Sequence, residues 1–280
     1  MSQLRNGRHP PLTARSVVAS TLLGMRPPRL PGRILVRSGE LFGIAEGTTR
    51  VALSRMVSSG ELVPADGGDY ELSGHLLERQ ARQDESRAAR TRPWDGAWEM
   101  AVVERGQRSP ADREALRRSG RALRLAELRE GVWMRPANLD PARSPADRDV
   151  LESQCRTFAA EPRDDAAALV AALWDVDGWA TEAHDLRSEM EGLVDALERG
   201  DREALAPGFV VSAAVLRHFQ ADPLLPDELL PDGWPGPALR AEFERYDVAF
   251  RQVWRAWYSS LRSPATQAAQ EPPRSGNSPA

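Results

Sequence analysis

Apolar residues recur at helical spacing in three short segments near the N-terminus, with polar residues between them. The pattern predicts helices over residues 14–23, 33–41 and 46–59. Gly43 lies between the second and third helices, where a tight turn needs a left-handed backbone. Two short apolar runs then flank an Asp-Gly-Gly-Asp sequence at 66–69, which predicts a β-hairpin. The order helix, helix, helix, hairpin is typical of a winged helix-turn-helix.

The third helix has one apolar side and one polar side. The apolar positions recur at helical spacing and are expected to be buried; they are Ala52, Leu53, Met56 and Val57. Arginines and short hydroxyl side chains occupy the other side, and such groups can donate to phosphates and base edges in the major groove. We therefore expect DNA contacts from Thr48, Thr49, Arg50, Ser54, Arg55 and, on the second helix, Arg33. The alternative is an ordinary helical module whose polar side faces solvent.

Charge is distributed unevenly along the chain. The whole sequence of 280 residues has a net charge of −4, which by itself argues against a nucleic-acid partner. Residues 1–60, however, contain nine Arg and two Glu and carry +7, whereas the remaining 28 Arg and 39 acidic residues give 61–280 a charge of −11. There is no Lys, and Arg can bind a phosphate or a guanine edge through two hydrogen bonds. A basic module joined to acidic regions favours the DNA-binding prediction.

Four segments carry a family resemblance: 42–62, 92–104, 127–139 and 218–236. The fourth is the most specific, because Asp-Pro, Leu-Pro, Leu-Pro and Trp-Pro-Gly follow one another in that order at 222–236. Together the segments spread over most of residues 13–260, and the chain resembles the phenylacetic-acid catabolon repressor (PaaX) family. One departure is Glu61, which stands where family members often have Trp after the glycine.

The resemblance implies both a fold and a function. It implies an N-terminal winged helix, a middle ferredoxin-like domain similar to that of CRISPR-associated spacer-acquisition nucleases, and a C-terminal helical domain. It also implies a homodimeric repressor of a catabolic, phenylacetate-type operon. Such a dimer would bind an inverted-repeat operator in double-stranded DNA and would be released by an aryl-acyl-CoA effector such as phenylacetyl-CoA.

Pattern and resemblance together predict an α+β protein. We expect a winged helix-turn-helix at 13–72, a connector helix at 73–92, a ferredoxin-like α/β domain at 93–162 and a mainly helical effector and dimer domain at 163–262. Strands are expected at 98–103, 131–134 and 155–158, with a helix at 110–125. Sheets of ferredoxin-like units often pair, so the middle domain is also a candidate dimer interface. The tails at 1–12 and 263–280 are expected to be flexible.

Aromatic residues recur at steps of three or four along the last predicted helix, between 239 and 257. They are typical of a helix core, but they also fit an aromatic pocket for an aryl-acyl ligand. Arginines on the same helix could meet CoA phosphates or simply face solvent. The predicted effector-binding residues are Trp254, Trp257, Arg251 and Arg255.

Sequence motifs for catalysis and for metal or cofactor binding are not evident. One cysteine, Cys155, and four scattered histidines do not form a zinc pattern. His184 with nearby carboxylates suits a solvated helix better than a metal site, and Glu104 after the first strand of the middle domain has no clear carboxylate partner for a nuclease. We therefore expect no enzyme, no cofactor and no metal. The alternatives are a metal-dependent nucleic-acid-processing protein built on the middle domain and a constitutive DNA-binding protein without an effector.

The cellular compartment is also predicted from composition. No apolar run approaches the roughly 18 residues that a membrane span needs, and the N-terminus has no apolar segment of the kind found in secretory signals. A single cysteine fits a reducing compartment. We expect a cytoplasmic protein with no membrane association.

Overall fold

The computed structural model describes residues 12–104, 106 and 108–261, so nearly all of both predicted tails lies outside the described residues. Within these residues the chain divides into two compact units. The first unit contains 12–76, 190–212 and 244–261, and the second contains 77–189 and 213–243. Among the described helices, none has both the length and the apolar composition of a membrane-spanning helix.

The first unit begins with the predicted winged helix-turn-helix. Its elements are α1 (Ala14–Leu23), β1 (Arg29–Pro31), α2 (Gly32–Glu40), α3 (Glu46–Ser58), β2 (Leu62–Ala65) and β3 (Asp69–Leu72). The three strands form an antiparallel sheet in the order β1-β3-β2. Thr13 starts α1 with a capping box, because its hydroxyl accepts from the Ser16 amide and the Ser16 hydroxyl bonds back to residue 13.

The three helices of this module enclose one apolar core. Leu22 of α1, Leu35 of α2 and Leu53 of α3 are almost fully buried in it. The end of a later helix, α10 (Gly236–Ser260), packs partly buried Tyr258 against the same core, together with Leu261. The last helix therefore completes the first unit, although it lies far from the winged helix in sequence.

The second unit is built on a ferredoxin-like sheet. Its elements are α4 (His75–Arg87), β4 (Trp98–Val103), α5 (Pro110–Ala122), β5 (Ala126–Arg129), β6 (Val132–Pro136), α6 (Pro145–Gln154), β7 (Cys155–Ala160) and α7 (Ala166–Leu173). The order β5-β6-β4-β7, with every neighbouring pair antiparallel, is the ferredoxin-like arrangement of a βαββαβ unit. The α+β prediction with its winged helix-turn-helix and ferredoxin-like domain is therefore confirmed.

Both faces of the four-stranded sheet are covered. Ala101 and Trp133 point to the face on which Leu116 of α5 and Leu151 of α6 pack. Trp98 points to the opposite face, in a second cluster that includes residues of α7 and of the segment 218–236. All five residues of β6 are buried for this reason.

The proline-rich segment 218–236 follows α9 (Leu205–Ala221) and is fixed by specific bonds. The Trp179 indole on α8 (Val176–Glu198) donates to the His218 carbonyl and stacks between the rings of His218, at 4.2 Å, and Trp234, at 4.5 Å. The Asp222 carboxylate accepts from the Leu224 amide and pairs with Arg240 at 2.8 Å. The most family-specific part of the sequence thus has a structural role in the second unit.

Candidate functional site

The turn between α2 and α3 brings the two helices into close contact. Gly43 has a φ of +70°, which the tight turn requires, and the Ile44 amide donates to the Gly39 carbonyl at 3.1 Å. Gly39 faces the Thr49 side chain so closely that a Cβ at position 39 would overlap the Thr49 hydroxyl. This close approach sets how α3 is presented on the surface of the module.

The exposed side of α3 contains most of the residues predicted to meet DNA. Thr48, Arg50, Ser54 and Arg55 are exposed, and so is Arg33 at the start of α2. The Arg50 guanidinium is 2.7 Å from the Glu46 carboxylate one turn earlier. Glu46 therefore holds Arg50 in place but also offsets part of its charge.

The prediction that Thr49 contacts DNA is wrong. Its side chain is fully buried, and its hydroxyl lies 3.5 Å from the Ala45 carbonyl. Positions 49, 53 and 56 follow the i, i+4, i+7 spacing of a single helix side, so Thr49 shares the apolar side with Leu53 and Met56. The helical spacing of position 49, and not its polar residue type, determines its burial.

Val51 also lies on the exposed side of α3, although an apolar residue type predicts burial. Half of its surface, 51%, is exposed, which is unusual for a large apolar side chain on a helix of this module. It lies three residues after Thr48 and four before Arg55, so the three share one side of α3. The same helical spacing that identifies the core would have found it.

The hairpin of β2 and β3 forms the wing beside α3. Gly67 and Gly68 in its turn have φ values of +77° and +78°, and Arg29 bonds the Asp69 carboxylate at 2.8 Å and the Asp66 carbonyl at 2.9 Å. Arg29 thus fixes the turn and neutralises Asp69. The turn itself adds no basic residue.

Glu61 connects the end of α3 to α1. Its carboxylate is almost fully buried and accepts two hydrogen bonds from the Arg15 guanidinium, and His75 Nε2 lies 3.4 Å away. The hydrogen bond from Arg15 lowers the pKa of Glu61 below its ordinary value. An ion pair therefore joins position 61 to α1.

The residues predicted to bind an effector on α10 differ in their surroundings. Trp254 and Trp257 are buried, with ring centroids 4.9 Å apart, and Trp254 also stacks on Phe209 at 6.4 Å. Phe209 in turn contacts Phe42, in the turn before α3, at 4.9 Å. This aromatic cluster is packed against itself, as a core is, and an effector site there stays a prediction.

The two arginines of that prediction do not converge on the cluster. The Arg251 guanidinium bonds Asp247 one turn earlier at 2.9 Å, and Arg255 is exposed. Arg251 is therefore already paired within its own helix.

An open cavity of about 640 Å³ lies within the second unit. Its lining includes six arginines but only two carboxylates, Glu85 and Glu127. The arginines are Arg82, Arg118, Arg121, Arg124, Arg143 and Arg217. They come from α4, α5, α9 and two loops, so no local sequence pattern indicated that they meet. The apolar part of the wall includes Leu125, Leu173, Trp174 and Pro223.

The described residues contain no group of ligands that would support the nuclease alternative. Among them, no three His, Cys, Asp or Glu side chains are grouped so that they could hold a metal ion. Glu104 pairs with Arg156 at 2.6 Å on the surface. Cys155 is buried, and burial raises the pKa of its thiol, which disfavours the reactive thiolate.

Three consecutive regions match families of one type. Residues 13–76 match the "PaaX-like protein" family, 91–170 the "PaaX protein central Cas2-like domain" and 174–268 the "PaaX-like protein C-terminal domain". The uncharacterized protein Rv0674 from Mycobacterium tuberculosis has a similar solved structure. It is 42% identical, the match covers 87% of this chain and 98% of that one, and the TM-score is 0.65. No curated protein matches the chain.

Proposed function

The chain belongs to the PaaX-like family and is a transcription regulator of that type, and we propose that it represses a catabolic, phenylacetate-type operon until an aryl-acyl-CoA releases it. The observation that carries the proposal is the exposed side of α3. It presents arginine, hydroxyl and methyl groups on a helix whose other side is buried in a winged helix-turn-helix core.

Each group on this side of α3 has a partner on DNA. Arg55 is suited to a guanine edge or a phosphate, and Thr48 and Ser54 are suited to phosphates or base edges. Val51 adds an apolar group of the kind that contacts the thymine methyl. The +7 charge of residues 1–60 attracts the duplex as a whole.

The proposed dimer is supported by the edge of the four-stranded sheet. Strand β7 is an edge strand, its residues 156–159 are exposed, and 43% of the Phe158 surface is accessible. Natural proteins usually protect such an edge, and pairing with a second copy would do so. A two-fold dimer presents two α3 helices to the two halves of an inverted repeat.

Release requires that the effector bind the DNA-free form better than the operator-bound form. A preference of about 100-fold corresponds to roughly 2.7 kcal/mol, which is within the usual range of allosteric coupling. By linkage, the operator must weaken effector binding by the same factor.

The test is a mobility-shift titration on the DNA upstream of the protein's own coding sequence, with and without phenylacetyl-CoA. We expect a sequence-specific complex that phenylacetyl-CoA dissociates. A complex that no acyl-CoA affects would contradict the effector but keep the DNA binder. Cleavage of the same DNA in Mg²⁺ or Mn²⁺ would instead favour a nuclease.

A further inference from the structure

We propose that the arginine-lined cavity of the second unit binds a small molecule that carries several phosphate groups and an apolar group. The inference rests on the proposed function only for the identity of the apolar group, which in an aryl-acyl-CoA would be the acyl chain. The charge, burial and size of the cavity support binding of a phosphorylated ligand.

The two carboxylates of the cavity are outnumbered by its arginines. Glu85 accepts from the Ser144 amide at 2.9 Å and from the Ser144 hydroxyl at 2.6 Å. Glu127 accepts from the Gly131 amide at 3.1 Å. Neither forms an ion pair with a cavity arginine among the described residues. Arg82 pairs with Glu78 at 3.6 Å and Arg121 with Glu114 at 3.5 Å, both outside the lining. Six guanidinium groups nevertheless line one space with an excess of positive charge, which is the arrangement that binds polyanions.

Two of the arginines are buried at the back of the cavity. The accessible surface is 8% for Arg124 and 1% for Arg143. Arg124 donates to the carbonyls of residues 121, 219 and 220, and Arg143 makes two long bonds, at 3.5 and 3.4 Å, to the carbonyls of Glu85 and Ala88. The Nε atoms of both arginines are buried without a hydrogen-bond partner among the described residues.

Burial of these cations has a cost that an anion would reduce. Desolvation, with repulsion from Arg143, lowers the pKa of Arg124 to about 10, so Arg124 still carries its charge at neutral pH. Carbonyl groups satisfy the geometry of a buried guanidinium but do not neutralise it. Glu85 and Asp222 supply part of the countercharge, and a phosphate in the cavity would add to it.

The size and wall of the cavity indicate a small molecule rather than a duplex. A volume of about 640 Å³ is in the usual range for sites that hold cofactors and drug-sized ligands. The Trp174 ring and Leu125 give it an apolar side next to the charged one. Arg124 and Arg143 are too deeply buried to reach the backbone of double-stranded DNA. A nucleotide-linked thioester combines the required phosphates with an apolar chain.

Neighbouring arginines on α5 provide a matched experiment. Arg118 lines the cavity, whereas Arg117 does not, and both side chains are exposed. Binding to the full-length protein is measured by calorimetry with four probes: phenylacetyl-CoA, CoA, ATP and the phenylacetyl thioester of pantetheine, which has no phosphate. Variants are Arg118→Ala, Arg217→Ala and Arg117→Ala, each checked for its unfolding temperature.

We expect the phosphate-bearing probes to bind and the pantetheine ester to bind far more weakly. Arg118→Ala and Arg217→Ala should each weaken CoA binding roughly tenfold or more, because each removes a hydrogen bond to a charged group. Arg117→Ala should leave it unchanged. Since the side chains of Arg118 and Arg217 are exposed, the unfolding temperatures of both variants should match that of the unsubstituted protein.

The other outcomes separate this proposal from the proposed function. If phenylacetyl-CoA releases the operator but all three variants bind it equally, the cavity assignment is overturned and the repressor remains. If CoA and ATP bind through Arg118 but no acyl-CoA releases the operator, the cavity assignment stands and the effector is wrong. If no phosphate-bearing probe binds at all, the cavity assignment is overturned, and operator binding is judged separately.

Discussion

The close approach of α2 and α3 gives a quantitative prediction for Gly39→Ala. In an open helical position, Ala in place of Gly stabilises by up to about 1 kcal/mol. At position 39 the new methyl group overlaps the hydroxyl of Thr49, which is fully buried and whose β-branched side chain has few alternative rotamers. Overpacking of this kind costs about 1–3 kcal/mol, so we expect a net loss of up to about 2 kcal/mol.

The assay is a double-mutant cycle read by urea unfolding. In the Thr49→Ala background the clash is absent, so Gly39→Ala should change from destabilising to neutral or stabilising, with a coupling of about 1–3 kcal/mol. Gly47→Ala on α3 is the control, because nothing lies within 4 Å of the added methyl group. Additive effects, or a stabilising Gly39→Ala single variant, would refute the packing described for these helices.

Three further predictions follow from individual contacts. Glu61→Gln should cost about 1–2 kcal/mol in urea unfolding at neutral pH, since it weakens a charge-assisted bond to the half-exposed Arg15. Because the pKa of Glu61 is lowered, this contribution is present above its ordinary value of 4.5 and is lost as the pH falls through the folded-state value. His218→Phe should remove a loss of stability that begins as the pH falls through 6.5, because burial lowers the pKa of His218 below 6.5 and the unfolded chain binds that proton more readily. Phe158→Asp should convert a dimer to a monomer in analytical ultracentrifugation if β7 is the interface.

Each of these three predictions has an outcome that would contradict it. A Glu61→Gln variant as stable as the unsubstituted protein would mean that the Arg15 pair contributes nothing. An unchanged pH slope after His218→Phe would assign that slope to other groups. A Phe158→Asp variant that remains dimeric and folded would move the dimer interface away from β7.

Much of the winged helix was predictable from the sequence because its signals are local. The spacing of Leu53 and Met56 identified the buried side of α3, and the Asp-Gly-Gly-Asp sequence identified the wing. Thr49 shows the limit of residue type, because its spacing and not its hydroxyl determines which side of α3 it occupies. Burial of a threonine depends on a partner that is close in space, here Gly39, and no local pattern shows it.

The second unit was less predictable. The sequence predicted the strand at 98–103 with its observed bounds. In β5, however, Glu127, Leu128 and Arg129 are all exposed and two of them are charged, so the strand has no apolar run to reveal it. The arginine cavity has no signal in the sequence, because α4 and α9 are separated by more than a hundred residues in the chain and meet only in the fold. The sequence of the segment 218–236 indicates a family resemblance, but only the structure shows its ring stack and its ion pair.

The proposal that the exposed side of α3 binds the operator is tested by measuring operator affinity at several salt concentrations. The variants are Arg55→Ala and Arg199→Ala, the second of which replaces an exposed arginine outside the winged helix. We expect Arg55→Ala to weaken specific binding by about 1–3 kcal/mol if Arg55 reads a base, or to lower the salt slope by about one unit if it holds a phosphate. Arg199→Ala should change neither quantity. An Arg55→Ala variant that is folded and binds the operator with unchanged affinity and salt slope would contradict the claim.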